Sequence, residues 1–140
     1  MMPTVTSKND GGSIAVDAVR KAAGSRDWRH NNRTRALLAS EPKLKTIVRL
    51  AKQKLGAKQV WIFGSRATGT NRPDSDWDIF LVLPNRASDS DLSPSKTWAV
   101  GREAGLTADI VAERDAEIRS TINVPNTLSY ILHREGVRVG

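Results

Sequence analysis

Two aspartates separated by one residue, Asp76 and Asp78, are the best candidates for chemistry in this chain of 140 residues. They precede the apolar run 79–83, which is typical of a buried strand. Residues two apart on a strand point to the same face, so both carboxylates would enter one small volume. Like charges this close raise one pKa or recruit a cation, and carboxylate oxygens favour a hard ion such as Mg²⁺.

A third carboxylate, Asp109, interrupts the apolar segment 106–111. If this segment is a strand beside the Asp76/Asp78 strand, the three carboxylates meet at one end of the site. Two Mg²⁺ ions held there could bridge a triphosphate, lower the pKa of an attacking hydroxyl and stabilise the pyrophosphate leaving group. The predicted chemistry is therefore nucleotidyl transfer.

The turn Gly64-Ser65 ends another apolar run, 60–63, and is the predicted nucleotide-binding element. Glycine lets the backbone approach a phosphate closely, the N–H groups at a helix start are free, and the Ser65 hydroxyl adds a donor. Arg66 is placed to add a cation, although a surface arginine without a phosphate partner fits the sequence equally well.

Each motif also has a simpler explanation. Asp-x-Asp is common in solvated turns, many strands end in glycine, and a lone aspartate such as Asp109 can be a strand-edge residue. The Gly-Ser turn resembles neither a Walker loop nor a dinucleotide fingerprint. The occurrence of all three motifs in one order is what favours a functional site.

Together these motifs resemble the minimal nucleotidyltransferases of the DNA polymerase beta superfamily. That family's pattern is a hydrophobic residue, Gly-Ser, about ten residues, Asp-x-Asp and a later Asp between apolar neighbours. Here the spacer 66–75 is ten residues long, and segments 72–78 and 131–137 also resemble the family's sequence pattern. The resemblance runs from about Pro42 to Gly140.

The resemblance implies roles for named residues. Asp76 and Asp78 match the metal-binding pair, Asp109 matches the third carboxylate that helps activate the acceptor hydroxyl, and Gly64-Ser65 matches the phosphate-holding turn. It also implies an α+β, two-layer fold with a small mixed sheet and helices packed on it. Trp77 stands where the family more often has an aliphatic residue, and strand alternation predicts that it packs as core on the opposite face.

Proteins of this kind are commonly the antitoxin of a two-component system. Such an antitoxin binds a helical HEPN-type toxin and transfers AMP from ATP to one of its tyrosines, which implies a hetero-oligomer. Two alternatives stay open: adenylylation of a small molecule or another protein with a separate helical subunit completing the site, and a non-catalytic antitoxin that acts by binding.

The helices and strands that must position these residues are predicted from the spacing of apolar residues and from the positions of proline and glycine. A helix is predicted from Pro42 to about Leu55, where Gly56 ends it, followed by a hairpin of two strands that flank the Gly-Ser turn. The two strands of this hairpin are predicted at 59–63 and 77–83. The further predicted elements are an exposed loop 84–95, helices 96–104, 113–121 and 126–135, and a tail or short edge strand at Val137 and Val139.

The N-terminal residues 1–40 are predicted to form an extension outside the domain 41–140. Ser13 can cap a short helix over 14–23, whereas 25–35 is polar without a clean period and predicts a loop or irregular arm. Residues 1–58 carry 13 Lys/Arg against 4 Asp/Glu, and residues 59–140 carry 9 against 11. Basic residues are not interleaved with aromatic ones, which disfavours nucleic acid as the acceptor.

Composition is that of an ordinary soluble domain, with 39% hydrophobic and 26% charged residues. No cysteine is present, which excludes disulfides and thiol chemistry and agrees with a reducing cytoplasm. The longest apolar run is too short to span a bilayer, and the polar residues 1–12 do not form a signal peptide. We therefore expect a cytoplasmic protein without a membrane partner.

Overall fold

The computed structural model describes residues 28–140, which form a four-stranded mixed sheet with six helices around it. The strands are β1 (Gln59–Phe63), β2 (Trp77–Leu83), β3 (Ala108–Arg114) and β4 (Val137–Arg138). The helices are α1 (Asn32–Ser40), α2 (Lys43–Leu55), α3 (Ser65–Thr68), α4 (Pro94–Ala104), α5 (Asp115–Thr121) and α6 (Leu128–Glu135). This architecture confirms the predicted α+β class.

The strand order across the sheet is β3-β2-β1-β4. Strands β1 and β2 form the predicted antiparallel hairpin, and β4 pairs antiparallel with the other side of β1. Strand β3 pairs parallel with β2, which requires a crossover connection, and α4 supplies it. The C-terminal segment is thus a short edge strand, extended by hydrogen bonds that join Val60 to Val139 and Gly140.

The two faces of the sheet bury different helices. Trp77, Ile79, Leu81 and Leu83 of β2 share a core with the apolar stripe of α2 and with Val100 of α4. Phe80 and Val82 lie on the other face, in a smaller cluster with Ile118 of α5 and Leu132 of α6. Trp77 is only 5% exposed, which confirms that it packs as core away from the two aspartates. Helices α2 and α4 form the predicted second layer, and the short helices α5 and α6 add cover on the opposite face.

The prediction of an irregular arm over 25–35 is wrong for its last four residues, because α1 begins at Asn32. The Asn31 side chain caps the helix by accepting hydrogen bonds from the backbone N–H groups of Arg33 and Thr34, at 2.9 and 3.2 Å. Thr34 is buried, and its hydroxyl donates to the Arg138 carbonyl in β4 at 2.7 Å. The helix is held by this buried threonine together with Leu37 and Leu38, which pack against the core.

The predicted helix over 14–23 lies outside the described residues. The division between 1–40 and 41–140 stays a prediction, although α1 is joined to β4 through Thr34. Within residues 28–140, no helix is both long and apolar enough to cross a membrane.

The helix predicted over 113–121 starts two residues late, at Asp115. Glu113 and Arg114 continue β3 and pair with Val82 and Leu83 of β2. Pairing with a neighbouring buried strand outweighs the helical preference of charged residues, because strand preference depends on context. The last helix likewise begins at Leu128, after the Thr127 hydroxyl has capped it.

Gly136 provides a test of the close packing where α6 enters β4. A Cβ atom at this position would lie 2.6 Å from the Leu132 carbonyl oxygen and 3.2 Å from the Trp61 ring. We expect Gly136→Ala to lower the free energy of unfolding by about 2 kcal/mol in urea denaturation, because overpacking cannot relax against backbone. Gly56→Ala meets open space at φ +67 and should cost only about 1 kcal/mol of left-handed strain. A smaller cost at Gly136 than at Gly56 would contradict this account.

Candidate active site

The parallel pairing of β2 and β3 places Asp78 directly opposite Asp109. Each aspartate is the second residue of its strand, so both lie at the same end of the sheet. Partners in adjacent strands share a face, and strand alternation puts this pair on the face of Phe80, away from α2. The condition that the Asp109 strand lies beside the Asp-x-Asp strand is therefore met.

The negative charges of Asp109 and Asp76 both act on the Asp78 carboxylate. Its side chain is partly buried, and the pKa of Asp78 is raised above its ordinary value, first by burial, then by the charge of Asp109 and then by that of Asp76. Asp76 is exposed on the loop that precedes β2. The three predicted site carboxylates are thus electrostatic neighbours that repel one another in the absence of a cation.

The donor set suits a hard divalent cation. Carboxylate oxygens are the ligands that Mg²⁺ prefers, and a cation would relieve the repulsion that raises the pKa of Asp78. Over residues 28–140, no three histidine, cysteine, aspartate or glutamate side chains stand close enough together to form a closed metal cage. Asp76, Asp78 and Asp109 are therefore a fitting set of ligands in chemistry and charge, not a preformed cage.

The Gly64 backbone is packed against the Asp78 carboxylate. Gly64 follows Phe63, the β1 partner of Asp78, and adopts φ 71 and ψ −156, a conformation that side chains disfavour. A Cβ atom there would overlap Asp78 Oδ2 and lie 3.0 Å from its Cγ atom. Only glycine fits this position, and Ser65 then begins the single turn of α3, whose first N–H groups have no partner within a helix.

Arg66 has partners that the sequence did not predict. Its guanidinium donates to the Ser75 carbonyl through Nη2 at 2.6 Å and through Nε at 3.2 Å, and to the Pro73 carbonyl at 3.1 Å. It also stacks 4.5 Å from the centroid of the Trp77 ring. These contacts make Arg66 a positioning residue for the loop that carries Asp76, and a contact with phosphate stays a prediction.

A groove of about 420 Å³ reaches Asp76 and Asp109 from the side of α4. Its walls come from Trp98, Gly101, Arg102 and Gly105 of α4 and its end, and from residues 106–108. Sequence reasoning missed it, because the groove exists only once α4 packs beside the start of β3. The one sequence signal was a tryptophan on the outer face of a predicted helix.

Comparison with known proteins gives a family match and two similar structures. The profile of the family described as Nucleotidyltransferase domain matches residues 44–132. No curated protein matches significantly. A chain in the crystal structure of a toxin-antitoxin with AMP-PNP is similar at a TM-score of 0.50 and 16% identity, covering 69% of this chain and 71% of that one.

A Sulfolobus solfataricus protein assigned provisionally as a nucleotidyltransferase is similar at a TM-score of 0.43 and 20% identity, covering 79% of each chain. At such identities the structural likeness concerns the fold alone. The family profile, by contrast, spans more than half of the sequence and includes all three site aspartates and the Gly-Ser turn. The chain belongs to the nucleotidyltransferase domain family.

Proposed function

We propose that the protein is a Mg²⁺-dependent enzyme that transfers AMP from ATP to the hydroxyl of a tyrosine on a HEPN-type helical toxin, and so acts as the antitoxin in a hetero-oligomeric, cytoplasmic pair. The observation that carries this proposal is the meeting of the Asp78–Asp109 pair with the Gly64 backbone at one point of the sheet. Carboxylates for metal and a glycine turn for phosphate are the two parts that nucleotidyl transfer needs. The similarity to a chain in the crystal structure of a toxin-antitoxin with AMP-PNP also supports the proposal.

Asp76, Asp78 and Asp109 are the residues that would hold the metal. Two Mg²⁺ ions bound there would neutralise the triphosphate and favour ionisation of the acceptor hydroxyl. The hydrogen bonds of Arg66 fix the backbone that leads into Asp76. This arginine would therefore hold the Asp76 carboxylate in place beside the other two.

The residues of the chain then have separate tasks in the transfer. Gly64 and Ser65 bind the β- and γ-phosphates through backbone N–H groups and the serine hydroxyl. The Asp109 carboxylate accepts the proton of the acceptor hydroxyl, whose oxygen bonds to the α-phosphorus of ATP. The bond from that phosphorus to the oxygen bridging the β-phosphate breaks on the opposite side, and pyrophosphate leaves.

Two alternative functions, transfer to another acceptor and occlusion of a toxin, lead to different expected results. If the acceptor is a small molecule or another protein, AMP transfer still depends on the three aspartates but a HEPN-type toxin stays unmodified. If the protein only occludes a toxin, loss of the aspartates leaves inhibition intact. The meeting of Asp78, Asp109 and the Gly64 turn favours the catalytic functions, because mere binding of a toxin does not require paired carboxylates beside backbone donors.

Replacement of the paired aspartates tests the catalytic reading. With ATP, Mg²⁺ and a candidate HEPN-type toxin, we expect Asp78→Ala and Asp109→Ala to lower the rate of AMP addition at least about a hundredfold, since each removes a charge opposite the reacting phosphate. Intact-mass measurement of the toxin reports the added AMP. Asp74→Ala, in the exposed turn before Asp76, is the matched control and should retain activity. Full inhibition of the toxin by Asp78→Ala would favour occlusion.

Asp78→Asn should stabilise the metal-free protein while abolishing transfer. Because the folded-state pKa of Asp78 is raised, its charged form opposes folding at pH 7, and that penalty disappears as pH falls through the folded pKa towards the ordinary value of 3.8. We expect a gain in the free energy of unfolding at pH 7 that shrinks near pH 4, measured by urea denaturation; solvent screening keeps the gain small because the carboxylate is only partly buried.

Two comparisons sharpen this stability test. Saturating Mg²⁺ should narrow the difference between Asp78→Asn and the unaltered protein, because the ion binds the folded carboxylates. Asp74→Asn should leave stability nearly unchanged. A variant that is less stable than the unaltered protein at pH 7 without metal would show that the three carboxylates do not strain this site.

A further inference from the structure

The groove beside Asp109 is lined by one stripe of α4. Gly101 and Arg102 follow Trp98 by three and four residues, and Gly105 at the end of the helix follows them by four and three, a spacing that places them on neighbouring turns of one side of the helix. Gly101 is buried, and a Cβ there would lie 3.3 Å from Ile110 Cδ1. The missing side chain lets α4 pack closely on β3, and the groove beside this stripe is also lined by Asp76 and Asp109.

Trp98 is the most exposed large apolar side chain among residues 28–140, at 59%. The Arg102 guanidinium lies 5.2 Å from the centroid of its ring. Tryptophan and arginine are the residue types enriched at the energetic centres of protein interfaces, where each presents a flat surface to a partner. Both residues line the same groove as Asp109, which places this surface next to a candidate catalytic carboxylate.

The mouth of the groove is positively charged. Glu103, the acidic neighbour on α4, already pairs with Lys54 at 2.8 Å. Arg102 has no carboxylate partner in the part of the chain that the structure describes. Lys43 adds a second cation, since its Nζ donates to the Gly105 carbonyl at 2.9 Å. A partner with acidic residues around its acceptor hydroxyl would match this rim.

The two sides of the site also differ in what they can receive. Gly64 and Ser65 lie on the β1 side of Asp78 and line no part of the groove, whereas Asp109 lies on the β3 side. An acceptor and a leaving pyrophosphate stand on opposite sides of the phosphorus in an in-line displacement. If the Gly64 turn holds the departing phosphates, the acceptor enters from the β3 side, where the groove opens.

We infer that this groove is the docking site for the acceptor segment of a partner protein, and that Trp98 and Arg102 select a tyrosine flanked by acidic residues. The inference rests on the proposed function for the direction of entry. Trp98 supplies an aromatic face for the tyrosine ring, Arg102 pairs with a flanking carboxylate, and the tyrosine hydroxyl points towards Asp109.

Peptide binding without ATP tests the docking site separately from transfer. The probes are fluorescein-labelled peptides of about ten residues with one central tyrosine, flanked on both sides by glutamates or, in the matched peptide, by lysines. We expect fluorescence anisotropy to show at least about tenfold tighter binding of the glutamate peptide by the unaltered protein. Trp98→Ala should weaken that binding about tenfold, and Arg102→Glu should reverse the preference in favour of the lysine peptide.

Control variants separate a local effect from a general one. Arg86→Glu makes the same charge change on the exposed loop beyond the other end of β2, and Ile131→Ala removes another exposed apolar side chain. Both should bind the peptides as the unaltered protein does. Equal effects of Arg86→Glu and Arg102→Glu would reduce the preference to net charge and overturn the inference.

The remaining outcomes are also decisive. The inference is overturned if neither peptide binds, or if Trp98→Ala weakens AMP-PNP binding and leaves peptide binding unchanged, because the groove would then hold the nucleobase. If the peptides bind as expected but receive no AMP from ATP and Mg²⁺, and toxin modification also fails, the docking site stands and the proposed function falls.

Discussion

The parallel pairing of β2 with β3 is the constraint on which the site depends. It alone brings Asp109 opposite Asp78, although the two residues are separated by α4 and two loops along the chain. A slip of one residue would turn Asp109 to the α2 face and leave Asp78 beside an apolar neighbour. The register is held by a ladder along the whole length of both strands and by the Trp77 N–H, which donates to the Thr107 carbonyl at 3.2 Å. The buried Trp77 ring anchors the same end of β2.

The site opposes folding locally, and the rest of the sheet stabilises it. Mutual repulsion of the carboxylates raises the energy of the folded state. The strand interiors compensate, since Ile79, Phe80 and Leu81 are fully buried between helices on both faces. Charged groups can therefore be held close together at the strand ends because the apolar middle of each strand fixes where those ends lie.

How much the sequence could predict depended on how local the cause was. The helix ended by Gly56, the β1–β2 hairpin and the alternation that buries Trp77 follow from neighbouring residues, and the structure confirms them. The docking of α1 on β4 and the extension of β3 through Glu113 and Arg114 depend on partners distant in sequence, namely the Arg138 carbonyl and the β2 backbone. The pattern of neighbouring residues in the sequence does not indicate such distant partners.

The same distinction explains the site. Asp76 and Asp78 were readable as a pair from their spacing, although only Asp78 lies on β2 and Asp76 is on the loop before it. The neighbour of Asp109 could be stated only as a condition on the sheet. The sequence indicated that Arg66 carries a positive charge near the site, but not that it holds the backbone of 73–75 by hydrogen bonds. Its partners are carbonyl groups, which every residue has, so no residue type marks them. The groove at Trp98 is a still more distant consequence, since it requires α4, its buried Gly101 and β3 to be in place together.

The arrangement also gives the site two chemically different sides. On the β1 side, a glycine turn offers backbone donors next to Asp78, and on the β3 side, a basic and aromatic rim leads to Asp109. Backbone donors suit a phosphate, which every nucleotide shares, whereas side chains such as Trp98 and Arg102 can differ between relatives without disturbing the sheet. Under the proposed function, a change of side chains on α4 would alter partner choice while the carboxylates and the turn stay the same. This separation follows from the strand order, because β2 with its aspartates lies between β1 and β3.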